Sequence, residues 1–302
     1  MIQAAHSRKI KDSRSDRMFY ITVNVVMFIV LLIVLIPLIN VVASSFSSGR
    51  AIQGGRVFLW PVEPSLQGYR TVFAYKTVVS GYLNSIQYMV IGTVLNVAIT
   101  LLCAYPLARR TLPFRNFFMF LFTFTMYFGG GLIPGYLQVK NLGLLNTMWA
   151  LILPGVLSVY NMIITRTFIQ NSIPHEMLEA AQIDGCNDIR FFFTMVLPLS
   201  KAIIAVITLY YAVGHWNSWF GAFLYLSDRE LYPLQLILRD ILVVSQIDLT
   251  LIDDPELIDQ MLGLADLLKY SLIVIATLPM MCIYPFVQKF FIKGVMIGSI
   301  KG

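Results

Sequence analysis

Residues 179–198 read EAAQIDGCNDIRFFFTMVLP, a polar and semi-polar island in a 302-residue chain otherwise dominated by apolar runs. Upstream, Pro174 fits the first turn of a helix, where its missing N–H costs no bond, and Ser172 is a candidate cap. Met177, Leu178, Ala180, Ala181 and Ile183 then make one apolar side, with Glu176, Glu179 and Gln182 on or near the other. Gly185 can adopt the left-handed conformation that ends a helix. Asn187 or Asp188 can cap a second helix that climbs through Phe191, Phe192 and Phe193, and Pro198 marks entry to the next apolar run. The segment reads as a short amphipathic helix at a membrane surface, tied to an apolar run on each side. A partner gripping such a lever could move both runs.

Composition supplies the membrane. Hydrophobic residues make up 58% of the chain and charged residues 13%, against about 25% charged in a typical soluble domain; mean hydropathy is +0.74. A soluble core cannot hide that much apolar surface, so lipid is the solvent for much of it. A helix rising about 1.5 Å per residue needs roughly 20 apolar residues to cross a hydrocarbon layer of about 30 Å. Such runs occupy 19–43, 81–107, 117–138, 147–165, 202–226 and 267–288. Each is expected to be helical, because lipid cannot satisfy exposed backbone N–H and C=O groups. The first run is too long for a signal-peptide core and is read as a retained helix. The expected fold class is therefore all-α integral membrane, six transmembrane helices in one domain spanning 1–302.

Charge sets the orientation. With the N-terminus inside, the inner segments hold Arg8, Lys9, Lys11, Arg14, Arg17, Arg109, Arg110, Arg115, Arg166, Arg190, Lys201, Lys289, Lys293 and Lys301, 14 of 22 basic residues. Nine of 16 acidic residues fall between Asp228 and Asp266, outside. This is the positive-inside bias, so the net charge of +6 reports topology and not a nucleic-acid partner. Both termini are expected to be cytoplasmic, with an inner tail at 1–18, an inner loop at 166–201, an outer loop at 227–266 and an inner tail at 289–302. Cys103, Cys186 and Cys282 lack the spacing of a disulfide or metal framework.

Several details bear on packing. Gly129-Gly130-Gly131 with Pro134 and Gly135 should break or bend the third run, or let another helix approach closely; Gly131 and Gly135 have small-xxx-small spacing. Pro154-Gly155 should kink the fourth. In the outer loop Leu234, Ile237, Leu238, Ile241 and Leu242 recur at helical spacing and form one apolar face. Asp253, Asp254, Glu256 and Asp259 around Pro255 read as a solvated acidic turn, with no metal site expected. His215, the clearly ionisable group deep in a run, reads as a hydrogen-bonded histidine of the bundle interior.

The 179–198 segment carries a resemblance. Glu179-Ala180-Ala181, three residues, Gly185, nine residues, then Met195-Val196-Leu197-Pro198 resembles the EAA loop of permease subunits from bacterial ABC importers, written EAA-x3-G-x9-I-x-LP. Met195 stands where the family usually has Ile, a swap of similar volume. The run count, the long outer loop and the Lys301-Gly302 end look like the carbohydrate branch, similar to the maltose-type second permease subunit and to relatives importing oligosaccharides, including uronic-acid oligomers such as alginate.

The resemblance implies that Glu179, Ala180, Ala181, Gly185, Leu197 and Pro198 form an ATPase-coupling site. It also implies two ATP-binding cassette subunits that use ATP and Mg, a second permease subunit (a paralogue in this branch), an external solute-binding protein and a bacterial inner membrane. By similarity the 227–266 loop would reach the binding protein and residues 293–302 the ATPase pair. The sequence itself has no G-x-x-x-x-G-K-[ST] phosphate loop and no hydrolase motif, so no cofactor and no catalytic residue are expected in this chain. Intramembrane carboxylates, which proton- or sodium-driven carriers usually need, are missing from the runs. The alternative is a stand-alone carrier or channel for a small polar solute. Candidates for a sugar path, by aromatic stacking and side-chain hydrogen bonding, are Tyr127, Asn161, Tyr210, Tyr211, Trp216, Asn217 and Trp219.

Overall fold

In chain order, the computed structural model, which describes residues 13–244 and 255–299, contains the helices α1 (Arg14–Ser45), α2 (Gly49–Gln53), α3 (Gln67–Ala74), α4 (Lys76–Ala108), α5 (Arg115–Tyr127), α6 (Leu132–Asn141), α7 (Trp149–Ile152), α8 (Val159–Ser172), α9 (His175–Ile183), α10 (Asp188–Phe191), α11 (Leu197–Leu199), α12 (Lys201–Trp216), α13 (Phe220–Tyr225), α14 (Leu234–Val244) and α15 (Pro255–Ser299). Side chains are described through Ile241 and again from Gly263 to Pro285. The expectations placed on 1–12, 245–254 and 300–302 lie outside the described residues.

Three described helices are long and apolar enough to cross a membrane: Arg14–Ser45, Lys76–Ala108 and Gly263–Pro285. Two bent pairs pass the same test together, Arg115–Tyr127 with Leu132–Asn141 at 111° and Asp188–Leu199 with Lys201–Trp216 at 79°. The breaks expected in the third and fourth runs are present, and the fifth run is interrupted as well. The third run breaks at the glycine cluster, where Gly131 takes φ +88°. A Cβ placed on Gly129, Gly131 or Gly135 would meet nothing within 4 Å, so within this chain the cluster serves the break and not helix approach. The fourth run splits at Pro154-Gly155 into α7 and α8, and the fifth stops at Trp216 before resuming as α13. Conversely, Pro37 and Pro106 lie inside intact helices, and α15 runs through Pro279 and Pro285 to Ser299. Pro255 opens that helix, so Glu256 and Asp259 stand on its first turns and not in an acidic turn.

The chain divides into two compact units, Met1–Arg70 with Thr250–Val274 and Thr71–Leu249 with Ile275–Gly302. In the first, α1 begins with a reciprocal capping box between Ser13 and Asp16 and is exposed along its apolar length, as a helix solvated by lipid should be. Asn40 Nδ2 donates to the carbonyls of Val57 and Phe58, and Ser45 Oγ shares a hydrogen bond with Tyr69 Oη at 2.8 Å. Helix α2 crosses α15 backbone to backbone at Gly49 and Gly263: a Cβ on Gly49 would lie 2.7 Å from the Gly263 carbonyl oxygen. A Cβ on Gly68 would strike Ser271 Oγ in the same way.

In the second unit α4 is the central post, with α12, α8 and α14 packed around it. Gly92 leaves room for the ring of His215, which fills the space a Cβ would need. His215 Nε2 is buried there with no hydrogen-bond partner among the described residues, so at this nitrogen the fit over Gly92 stands in place of the expected hydrogen bond. Tyr211 Oη shares a hydrogen bond with Thr100 Oγ1 at 2.7 Å and accepts from the Ser158 N–H at 3.0 Å, linking α12, α4 and the start of α8. Tyr211→Phe should cost about 1–2 kcal/mol, because it strips a partner from buried donors. Thermal unfolding of the full-length chain measures this, and an unchanged midpoint would remove the hydroxyl from the set of structural bonds.

The amphipathic face of α14 is real but points inward. Leu234, Leu236, Ile237 and Leu238 are buried, Ile237 fills the space over Gly81 of α4, and Ser85 Oγ accepts from the Leu234 N–H at 2.8 Å. That face is therefore covered within the chain at Leu234, Ile237 and Leu238 and is not a free surface there.

Candidate coupling loop and solute path

Helix α9 begins after Pro174, which is its N-cap residue with no side-chain cap bond; Ser172 closes α8 instead. The helix ends as glycine permits. Gly185 has φ +74°, its N–H reaches the Gln182 carbonyl and the Cys186 N–H reaches that of Ala181, the two bonds of a Schellman ending. Asn187 Oδ1 then accepts from the Arg190 N–H at 2.8 Å and caps α10. The backbone widens to a π-helical stretch over Phe192–Val196 before α11.

Anchors and free surface separate cleanly. Leu178, Phe191, Phe192 and Val196 are buried in one apolar core with Leu101, Ala104 and Leu107 of α4, Met162 and Ile169 of α8, and Ile203 and Ile207 of α12. Full burial of a Leu or Phe is worth about 1.5–3 kcal/mol, so the loop is held firmly to three helices of the bundle. Arg109 adds an ion pair, Nη1 to Asp188 Oδ1 at 2.6 Å. Sequence reasoning took Asp188 only as a cap; the pairing joins residues 79 apart and has no local signal.

The opposite side is open. Glu179, Ala180 and Gly185 are exposed, and Ile183 and Ile189 are 87% and 71% exposed. Ile183 was expected to share the covered side with Leu178; it lies instead with the free surface. Ala181 packs partly against the core, as does Leu197, whereas Pro198 is exposed. Among the described residues Glu179 pairs with His175, Oε1 to Nε2 at 3.8 Å, and its side chain stays 62% exposed. The product is a rigidly mounted patch of two isoleucines, a small alanine and a carboxylate.

The seven sugar-path candidates divide by burial. Asn161, Tyr211 and Trp216 are buried. Tyr211 makes the bonds described above, and Trp216 Nε1 donates to the Ala276 carbonyl at 2.9 Å while its ring meets Tyr82 edge-on. Tyr127, Tyr210, Asn217 and Trp219 are exposed; Asn217 Nδ2 is used locally on the Val213 carbonyl. Sequence reasoning missed Arg239, whose guanidinium lies 5.2 Å from the centre of the Trp219 ring and 4.6 Å from that of Phe223.

No family model matches the chain. Individual proteins do. It is 41% identical over 294 residues to the polygalacturonan/rhamnogalacturonan transport system permease protein YtcP of Bacillus subtilis (strain 168), covering 95% of this chain and 99% of that one. It is 29% identical over 226 residues to the diacetylchitobiose uptake system permease protein NgcG of Streptomyces coelicolor, covering 73% and 74%. Its fold superposes with a TM-score of 0.84 and 33% identity on a chain from the crystal structure of a bacterial ABC transporter involved in the import of the acidic polysaccharide alginate, covering 94% of this chain and 100% of that one. With its apolar helices, its centrally anchored EAA loop and this end-to-end similarity, the chain belongs to the permease subunits of ABC carbohydrate importers.

Proposed function

We propose that the chain is one of two membrane subunits of an importer for an acidic oligosaccharide, moved by alternating access and driven by ATP hydrolysed on separate subunits. The carrying observation is the coupling loop, fixed by Leu178, Phe191 and Val196 and free at Glu179, Ala180, Ile183 and Ile189. An ATP-binding subunit gripping that free surface would move α4, α8 and α12 together. In this reading the chain crosses a bacterial inner membrane six times with both termini in the cytoplasm. It works with a second permease subunit, two ATPases and an external binding protein; ATP and Mg belong to the ATPases. The four exposed candidates, Tyr127, Tyr210, Asn217 and Trp219, are proposed contacts for the sugar.

Substrate chemistry rests on two supports. Polygalacturonan and alginate, in the names of the similar proteins, are both polymers carrying sugar carboxylates. In this chain, Arg239 over Trp219 and Phe223 combines an apolar ring face for sugar C–H groups with a guanidinium for a carboxylate. The test is uptake into proteoliposomes holding the assembled importer. Labelled oligogalacturonate or alginate oligomer should accumulate only with ATP, the ATPases and the binding protein present, and neutral maltotriose should not. Uptake by this chain alone, or of the neutral sugar only, would overturn the proposal.

A further inference from the structure

Between the end of α4, the end of α8 and the inner wall of α9 lies a cleft of about 420 Å³. Arg109, Arg110, Arg115 and Arg166 line it, with His175 of α9 on the same wall. Asp188 pairs with Arg109; the other three arginines make no ion pair among the described residues. Four guanidinium groups thus face one carboxylate in a space large enough for a small headgroup.

Two details show that Arg166 and Arg109 are held in place. Arg166 Nε donates to the Leu107 carbonyl at 2.9 Å, and Gln170 Nε2 to the Ala108 carbonyl at 3.2 Å, tying α8 to the end of α4. Arg109 is only 16% exposed in its side chain and its Nε is buried without a hydrogen-bond partner among the described residues. Burial and the neighbouring Arg115 push the Arg166 pKa down. Crowded guanidinium groups repel one another unless an anion sits among them. Their planar forks match the paired oxygens of a phosphate.

We propose that this cleft binds a phosphate-type anion, and that its resident is the headgroup of an anionic phospholipid. Position favours a lipid over a free solute. The cleft opens where the apolar length of α4 gives way to Arg109-Arg110, the depth at which a leaflet presents its phosphates and at which basic residues meet anionic headgroups. Because His175 and Leu178 of α9 form one wall, a bound headgroup would brace the coupling helix against α4 and α8. Bilayer composition would then act on the coupling loop directly. This inference does not depend on the sugar or on ATPase docking.

The test compares full-length chain in nanodiscs of phosphatidylcholine with and without phosphatidylglycerol, by thermal unfolding. Phosphatidylglycerol should raise the midpoint of the natural chain by about 3 °C or more, as a ligand selective for the folded state does. Arg110→Gln/Arg115→Gln should lose most of that rise while keeping the baseline midpoint, since neither side chain makes an ion pair among the described residues. Arg229→Gln, which removes one positive charge away from the cleft, is the control. It lies near the opposite end of α4, where Asn84 bonds the adjacent Glu230 carbonyl, and should keep the full rise. Millimolar inorganic phosphate in phosphatidylcholine discs separates the sources: an equal, arginine-dependent rise would keep the anion site but overturn the lipid assignment. A rise retained by the double variant, or lost equally in Arg229→Gln, would overturn the site.

Discussion

Ile183→Asp combined with Ala180→Arg should abolish ATP-driven uptake and retention of the ATP-binding subunits during purification, while the thermal midpoint of the chain itself stays unchanged. Both positions are exposed, and exposed substitutions usually change stability by no more than about 0.5 kcal/mol. A partner that covers this patch would see the opposite. Removing an apolar anchor from the centre of an interface costs about 2–4 kcal/mol, or roughly 30- to 1,000-fold in affinity. A charge and a bulky side chain on the docking face add desolvation and clash. Gly185→Val should reach a similar end by another route. The space around Gly185 is open, but φ +74° is strained for a residue with a Cβ and more so for a β-branched one, so the Schellman ending would unwind. Normal uptake and normal co-purification in the double variant would place the ATPase elsewhere and remove the coupling assignment.

Gly49→Val should leave little folded protein. Its Cβ would sit 2.7 Å from the Gly263 carbonyl oxygen and 2.9 Å from Gly263 C and Cα. These are backbone atoms, so no rotamer change relieves the overlap and α2 must leave α15. Overpacking that side chains can absorb costs about 1–3 kcal/mol; a backbone-on-backbone overlap should exceed that range. Gly135→Ala is the control, since nothing lies within 4 Å of its Cβ position. In the interior of α6 that change should be neutral or stabilising by up to about 1 kcal/mol. Yield and thermal midpoint of the three proteins, measured side by side, decide it. A Gly49→Val chain as stable as the natural one would mean that α2 and α15 do not cross at Gly49.

The sequence by itself determined the membrane class, the helical content and the stop and restart of helix at Gly185 and Asn187, because each rests on local rules. Composition decides whether lipid must be the solvent, and lipid permits only satisfied backbones. The chain carries Gly185 and Asn187 where a helix must stop and another start, and the structure ends α9 and caps α10 there. Glycine and proline clusters at 129–135 and 154–155 marked breaks correctly, but not that they would turn one run by 111° or split another in two. Those outcomes depend on what each half packs against.

Only the tertiary structure decided which side of an amphipathic helix is free. Helical spacing groups Leu178 with Ile183, yet burial separates them, because the bundle supplies a core for one and none for the other. The same holds for α14, whose apolar face is turned onto α4, and for Tyr211 and Trp216, whose polar atoms bond inside the bundle. The ion pair of Arg109 with Asp188, the crossing at Gly49 and the four-arginine cleft join residues far apart in the chain. Pattern along a chain reports what a segment wants to bury or solvate; the folded neighbours alone settle what it meets.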